Sequence, residues 1–189
     1  NPILIAAVLT VLPILYTGGI HMDGFLDTMD ALGSNQDKQK KLNILKDSNS
    51  GAFAIIGGLV YILLYFASLL TFQGFTRIYI LAVSYMLIRA YSALSLIVFK
   101  NARGSGLAFE FADKSLIYTN RTGFILLGSV AMIIINVNYG LLCAISTFLV
   151  FMYYRVKSFE EFGGITGDLA GYFLQLAELV VVLVLALAP

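Results

Sequence analysis

The densest cluster of chemistry-bearing side chains is Asp23, Asp27 and Asp30, in the stretch Gly18-Gly19-Ile20-His21-Met22-Asp23-Gly24-Phe25-Leu26-Asp27-Thr28-Met29-Asp30. Their i, i+4, i+7 spacing puts all three carboxylates within about a 60° sector of a helix. Like charges on one stripe destabilise an isolated helix unless a cation neutralises them. Oxygen-only donors favour Mg²⁺ or Mn²⁺ over Zn²⁺. A plain solvated acidic face is the competing reading, but Phe25, Leu26 and Met29 between the aspartates are apolar. His21, the one histidine, can act as a base, a ligand or a hydrogen-bonding neighbour. Asp47, in Asp47-Ser48-Asn49-Ser50-Gly51, is either the N-cap of the next helix or a further carboxylate facing the stripe.

Two glycine-bearing loops complement the acids. Lys100-Asn101-Ala102-Arg103-Gly104-Ser105-Gly106-Leu107 sets Lys100 and Arg103 beside glycines. There backbone amides, Gly106 included, and a forked guanidinium can approach phosphate oxygens. Gly163-Gly164-Ile165-Thr166-Gly167-Asp168 offers a turn at Gly164, a hydroxyl at Thr166 and a carboxylate at a helix start. The bland readings are a connector for the first loop and a helix cap at Asp168 for the second. Acids for a divalent cation and a basic loop for phosphate, on one face, point to metal-dependent phosphoryl transfer.

The elements that must position these groups are membrane helices. Of 189 residues 59% are hydrophobic and 12% charged, about half the charge of a soluble domain. Twenty-nine uncharged residues separate Asp47 from Arg77, and 33 separate Arg121 from Arg155. A spanning helix needs about 20. The expected architecture is an all-α polytopic transmembrane helix bundle with about six spans: 1–17, 51–72, 76–99, 122–136, 138–154 and 168–188. Asn136-Val137-Asn138 divides the 33-residue run into two spans, since one helix of about 50 Å exceeds a bilayer core.

This parity puts the loops after spans 1, 3 and 5 on one side with ten of the twelve Lys and Arg residues, against Arg77 alone opposite. The positive-inside rule makes that side cytoplasmic, in the cell membrane. The segment 37–47 (DKQKKLNILKD) reads as an amphipathic helix on anionic headgroups. A net charge of +1 predicts no nucleic-acid partner, and the single Cys143 excludes disulfides within the chain and cysteine-based zinc sites. The expected partner is the lipid bilayer, and an oligomer is compatible with all of this.

Arg89 and Glu178 lie inside spans, where ionisable groups are costly and are functional candidates by default. Each is ten or eleven residues from a charged span end (Lys100 for one, Asp168 for the other), hence about 15–16 Å deep. Equal depth and opposite charge predict a direct pair joining spans 3 and 6. Failing that, Arg89 reaches up to a substrate phosphate, and it stands among the substrate-binding candidates.

Together GGIHMDGFLDTMD (18–30), KDSNSGAF (46–53), ARGSGLAF (102–109) and GGITGDLAG (163–171) resemble the cobalamin synthase (adenosylcobinamide-GDP ribazoletransferase) family, in the family's order and over most of the chain. Ala31 and Leu26 depart from the family's small residues but remove no candidate ligand. The resemblance implies one membrane domain over 1–189, preceded in the family by a further N-terminal part. It also implies an Mg²⁺-dependent enzyme joining adenosylcobinamide-GDP to α-ribazole or its 5′-phosphate, with release of GMP. Asp23, Asp27 and Asp30 would hold the metal, with Asp47 and Asp168 as further ligands or alignment groups and His21 or one of the carboxylates accepting the hydroxyl proton in the catalytic set. CDP-alcohol phosphotransferases use similar Asp-rich helices, but the Arg expected after Asp23-Gly24 is missing. A transporter would suit Arg89 and Glu178, yet the acids cluster in loops rather than at mid-bilayer. A scaffold without chemistry leaves the three-Asp stripe without a purpose.

Overall fold

The computed structural model describes residues 1–47, 49–103 and 117–188, with eight helices among them. They are α1 (Pro2–Tyr16), α2 (Ile20–Gly33), α3 (Lys38–Ile44), α4 (Ala52–Leu70), α5 (Thr76–Val98), α6 (Ile117–Ile135), α7 (Val137–Phe162) and α8 (Gly167–Leu187). Each of the six expected segments corresponds to a helix. Four of these, α4, α5, α7 and α8, are long and apolar enough to cross a membrane alone. α1 is 15 residues long and is bent by 90° against α2, with which it could form one broken span, and α6 is apolar along its described stretch Ile125–Ile135.

The α1–α2 elbow has a local cause. Pro13 removes a backbone donor near the end of α1, and Gly18 and Gly19 then adopt φ of 63° and 79°, a left-handed region that favours glycine. The chain turns, and α2 runs antiparallel along α4, with Gly33 beside Phe53, Met29 beside Gly57 and Leu26 beside Gly58, carrying the acidic motif with it. The break inside 122–154 falls at Asn136, whose side chain accepts the Tyr139 N–H at 3.0 Å and caps α7. α7 runs past the expected end at 154 to Phe162. Arg155, Lys157, Glu160 and Glu161, expected in a loop, therefore ride on a helix.

Parity is resolved by contacts at the two ends. Arg77, at the start of α5, donates to the Tyr139 hydroxyl at 3.2 Å and to the Ala188 carbonyl at 2.9 Å. The starts of α5 and α7 and the end of α8 thus share one end of the molecule. Residues 100–103 and 163–168 meet at the other, as the two-span division of 122–154 requires.

α8 is the central element, packing on α2, α4, α5 and α7. It is 72% buried along its most apolar stretch, against 33–44% for the other three long helices. Phe173, Val181, Val182 and Leu185 are fully buried, whereas Ile55, Leu59 and Leu63 of α4 and Leu142, Ile145 and Leu149 of α7 point outward. In a bilayer the outward set meets lipid tails, so helix association depends on close packing and buried polar contacts rather than on burial from water. Glycine supplies the closest approach. A Cβ on Gly24 would lie 2.7 Å from the Asp168 carbonyl oxygen, and one on Gly171 would lie 3.0 Å from that of His21. α2 and α8 cross backbone to backbone at these glycines, which brings the first and last motifs together.

That crossing yields a test. Gly24→Ala forces α2 away from α8, because the obstructing atoms are backbone and cannot rotate aside. Overpacking of this kind costs about 1–3 kcal/mol. We expect a lower melting temperature in detergent and a loss of turnover on the order of 10²-fold, the rate cost of a displacement of about 1 Å at a reacting centre. Wild-type turnover in Gly24→Ala would show that the crossing does not set the site.

Candidate active site

Two backbone hydrogen bonds build the mouth of the site. Ala102 N–H donates to the Ile165 carbonyl and Ile165 N–H donates to the Lys100 carbonyl, both at 2.9 Å. This parallel bridge stitches the basic loop to the glycine loop. Gly164 permits it, since a Cβ there would sit 2.4 Å from the Lys100 carbonyl oxygen. Thr166 is buried and caps α8, its hydroxyl accepting the Leu169 N–H at 3.2 Å. Asp168 is thereby released from capping, and its Oδ2 instead pairs with Arg103 Nη1 at 3.2 Å. Arg103 is further held by the Leu42 carbonyl, which accepts from Nη2 at 3.3 Å. Lys100 is exposed at the same mouth. Gly106 lies outside the described residues.

The stripe on α2 does not behave as three equal carboxylates. Asp23 is exposed and Asp27 half-buried. Burial, then repulsion from Asp23, Asp168 and Asp30, push the Asp27 carboxyl up to about 6, with Arg103 acting in the opposite sense. Asp27 is thus the point where the motif on α2 meets the Arg103–Asp168 pair. Asp30 has a different task from the one its spacing predicts. Its carboxylate accepts the backbone N–H of Gly51 and, at 2.9 Å, that of Ala54, so it caps α4. This is the capping role that Asp47 was a candidate for. Asp47 is exposed and accepts instead from Asn49 within its own loop, at 3.0 Å from the backbone N–H and 2.8 Å from Nδ2. Asp30 can reach the start of α4 because α2 and α4 pack together, which no local pattern reveals.

His21 is half-buried, and its Nδ1 is buried without a hydrogen-bond partner. Burial, then the charge of Arg89, lower its pKa, so the imidazole is neutral near pH 7. Arg89 Nη1 meets Glu178 Oε1 at 3.0 Å, the pair expected from equal depth. It also donates to the Tyr85 carbonyl at 3.3 Å, and its guanidinium lies 5.4 Å from the Tyr85 ring centroid. Arg89 is thus engaged by Glu178 and Tyr85, the arrangement that the equal-depth reading expected. Sequence reasoning missed the backbone bridge between residues 100–102 and 165, and it missed Leu42 as a partner of Arg103.

Among the described residues no three Asp, Glu, His or Cys side chains lie close enough together to hold a metal ion as they stand. The crowding at Asp27 is nonetheless the electrostatic condition that a divalent cation relieves, and the nearby donors are hard oxygens. Asp30 caps α4 and Asp168 is paired with Arg103, so a divalent cation would be held by Asp23 and Asp27 with Asp168 beside them.

Comparison with known proteins agrees with the motifs. Residues 1–186 match the model of one protein family, cobalamin-5-phosphate synthase. The chain belongs to the cobalamin-5-phosphate synthase family. By that membership it is an enzyme, a transferase, with its helices in a membrane. A Lachnoclostridium phytofermentans protein named adenosylcobinamide-GDP ribazoletransferase is 42% identical over 191 residues, covering 98% of this chain and 72% of its own length. A relative of the same name from Ectopseudomonas mendocina is 34% identical, covering 98% of this chain and 76% of its own length. One from Clostridium botulinum is 31% identical, with coverage of 94% and 72%. No solved structure matches the chain.

Proposed function

We propose that this family member joins adenosylcobinamide-GDP to α-ribazole or its 5′-phosphate, releasing GMP, at a site facing the cytoplasm. The observation that carries the reading is the convergence of Arg103, Asp168 and the crowded Asp27 at one mouth, with exposed Lys100 beside them. A basic fork and a set of carboxylates are what a diphosphate and its counter-cation require. The ten-to-one charge bias favours the cytoplasmic side for that mouth.

Asp23, Asp27 and Asp168 would hold Mg²⁺ (or Mn²⁺), which would supply charge neutralisation at the diphosphate. Arg103 and Lys100 grip non-bridging phosphate oxygens, and Asp168 orients the Arg103 fork. In the reaction a ribose hydroxyl oxygen forms a bond to phosphorus and the bridging bond to GMP breaks. The hydroxyl proton passes to a site carboxylate or to neutral His21. Thr166 and the bridge at residue 165 contribute rigidity, since transfer of this kind depends on positioning and electrostatics.

The test is GMP release by membranes or purified protein given a GDP-activated cobinamide, α-ribazole and Mg²⁺, with EDTA as control. GMP release that depends on α-ribazole is the expected result; its absence, or turnover indifferent to EDTA, overturns the reading. Within the same assay Arg103→Lys keeps the charge but loses the planar fork that binds Asp168 and phosphate together. We expect kcat/KM for the diphosphate substrate to fall about tenfold or more, the size of one charged hydrogen bond. Unchanged kinetics would reduce the loop to a connector.

A further inference from the structure

α3 was expected to lie on lipid headgroups, but one face of it is built into the protein. Asp37 caps it, accepting the Lys40 N–H at 3.0 Å. Lys41, 8% exposed at its side chain, donates from Nζ to Glu161 Oε2 on α7 at 2.6 Å. Leu42 and Leu45 are buried beside it, and Lys38 Nζ reaches the Phe159 carbonyl at 3.4 Å. A helix of seven residues is far too short to persist alone, so these tertiary grips hold it in place. The residue after Lys41 supplies the carbonyl that accepts from Arg103 Nη2 at 3.3 Å. An unbroken line of contacts therefore runs from Glu161 through Lys41, the Leu42 carbonyl and Arg103 to Asp168.

We propose that the Lys41–Glu161 ion pair positions Arg103, by clamping α3 to α7 so that the Leu42 carbonyl and Asp168 together fix the plane of the guanidinium fork. Both are positioning residues, since neither touches the reacting atoms. The proposal rests on the reading of Arg103 as a phosphate-binding group. Two contacts define a plane where one defines only a direction. A fork held by Asp168 alone can swing about that bond and lose the edge it presents to a diphosphate. The exposures also predict an asymmetry. Removing Glu161 strands a buried ammonium, whereas removing Lys41 leaves Glu161 paired with Lys157 at 3.4 Å.

The experiment combines steady-state kinetics with hydrogen exchange on the purified full chain. Glu161→Gln should raise KM for the GDP-activated cobinamide roughly tenfold with kcat little changed, and should speed amide exchange across residues 38–45. Lys41→Met, which breaks the same clamp without stranding a charge, should raise KM in the same direction with a smaller loss of stability. The charge swap Lys41→Glu with Glu161→Lys should restore most of both, which a general packing defect would not. An unchanged KM in Glu161→Gln, in preparations whose wild type releases GMP, overturns the proposal alone. Unchanged exchange, or a swap variant as impaired as Glu161→Gln, overturns it as well. Absence of GMP release from the wild type overturns the functional reading and this proposal with it.

Discussion

In protein stripped of divalent metal, Asp27→Asn raises the melting temperature near neutral pH while abolishing GMP release when Mg²⁺ is returned. The two effects share one cause. Burial and the neighbouring carboxylates lift the Asp27 carboxyl from its ordinary 3.8 to about 6. Below about pH 4 the group is protonated whether the chain is folded or unfolded, so it carries no penalty. As pH rises through about 6, the unfolded chain has already released its proton and the folded chain must release it into a crowded site. Stability therefore falls with rising pH in this window, and asparagine, with no proton to lose, escapes the fall.

The gain from Asp27→Asn should appear between those two limits, level off above them and vanish in acid. Catalysis moves the opposite way, because the charge that destabilises the empty site is the charge that a cation needs. Loss of such a contact commonly costs on the order of 10²-fold or more in rate. Mg²⁺ should raise the melting temperature of the wild type more than that of the variant, since it binds the folded site selectively. Melting curves across pH with EDTA, and then with Mg²⁺, check all of this. A variant that melts lower near neutrality, or retains turnover, refutes the assignment of Asp27.

Breaking the Arg89–Glu178 pair should produce the largest stability losses, and unequal ones. Glu178 is fully buried, while the Arg89 side chain is 38% exposed and retains the Tyr85 carbonyl and ring. Arg89→Met strands a carboxylate with no second donor, since Glu178 Oε2 already has no partner. Glu178→Gln leaves an arginine that still has somewhere to turn. Removing one member of a buried pair costs about 3–5 kcal/mol, and removing both is often far milder. We expect Arg89→Met at the upper part of that range, Glu178→Gln well below it, and the double variant more stable than Arg89→Met. Activity should follow stability, because the pair ties α5 to α8 beneath the Arg103–Asp168 contact at the mouth. A cycle in which the two effects simply add would show that the pair is not coupled in the membrane.

That pair was legible in the sequence because depth in a membrane can be counted. At a fixed rise per residue, two charges equally far from charged span ends must lie at equal height, and lipid leaves them few alternatives to each other. The turn at Asn136 was legible for a related reason, since no bilayer accommodates a 33-residue straight span. Asp30 and Asp47 were harder to read. A carboxylate's role depends on which helix start it meets, and neither the stripe around Asp30 nor the loop around Asp47 shows that.

The sequence by itself determined the helical membrane architecture and the family, and it supplied the candidate groups for a diphosphate and its cation. These follow from short-range rules: hydrophobic run length, helical periodicity, and motifs whose residues are near neighbours in the chain. Only the tertiary structure decided which of those groups work together. The crossing of α2 and α8 at Gly24 and Gly171 moved Asp168 into the set around Asp27. The packing of α2 on α4 committed Asp30 to capping. The two-bond bridge from residues 100–102 to 165, with the grip of α3, aimed Arg103. Each of these depends on backbone atoms from distant segments meeting at hydrogen-bond or van der Waals distance. Backbone groups are the same in every residue, so no choice of side chain announces where they will meet.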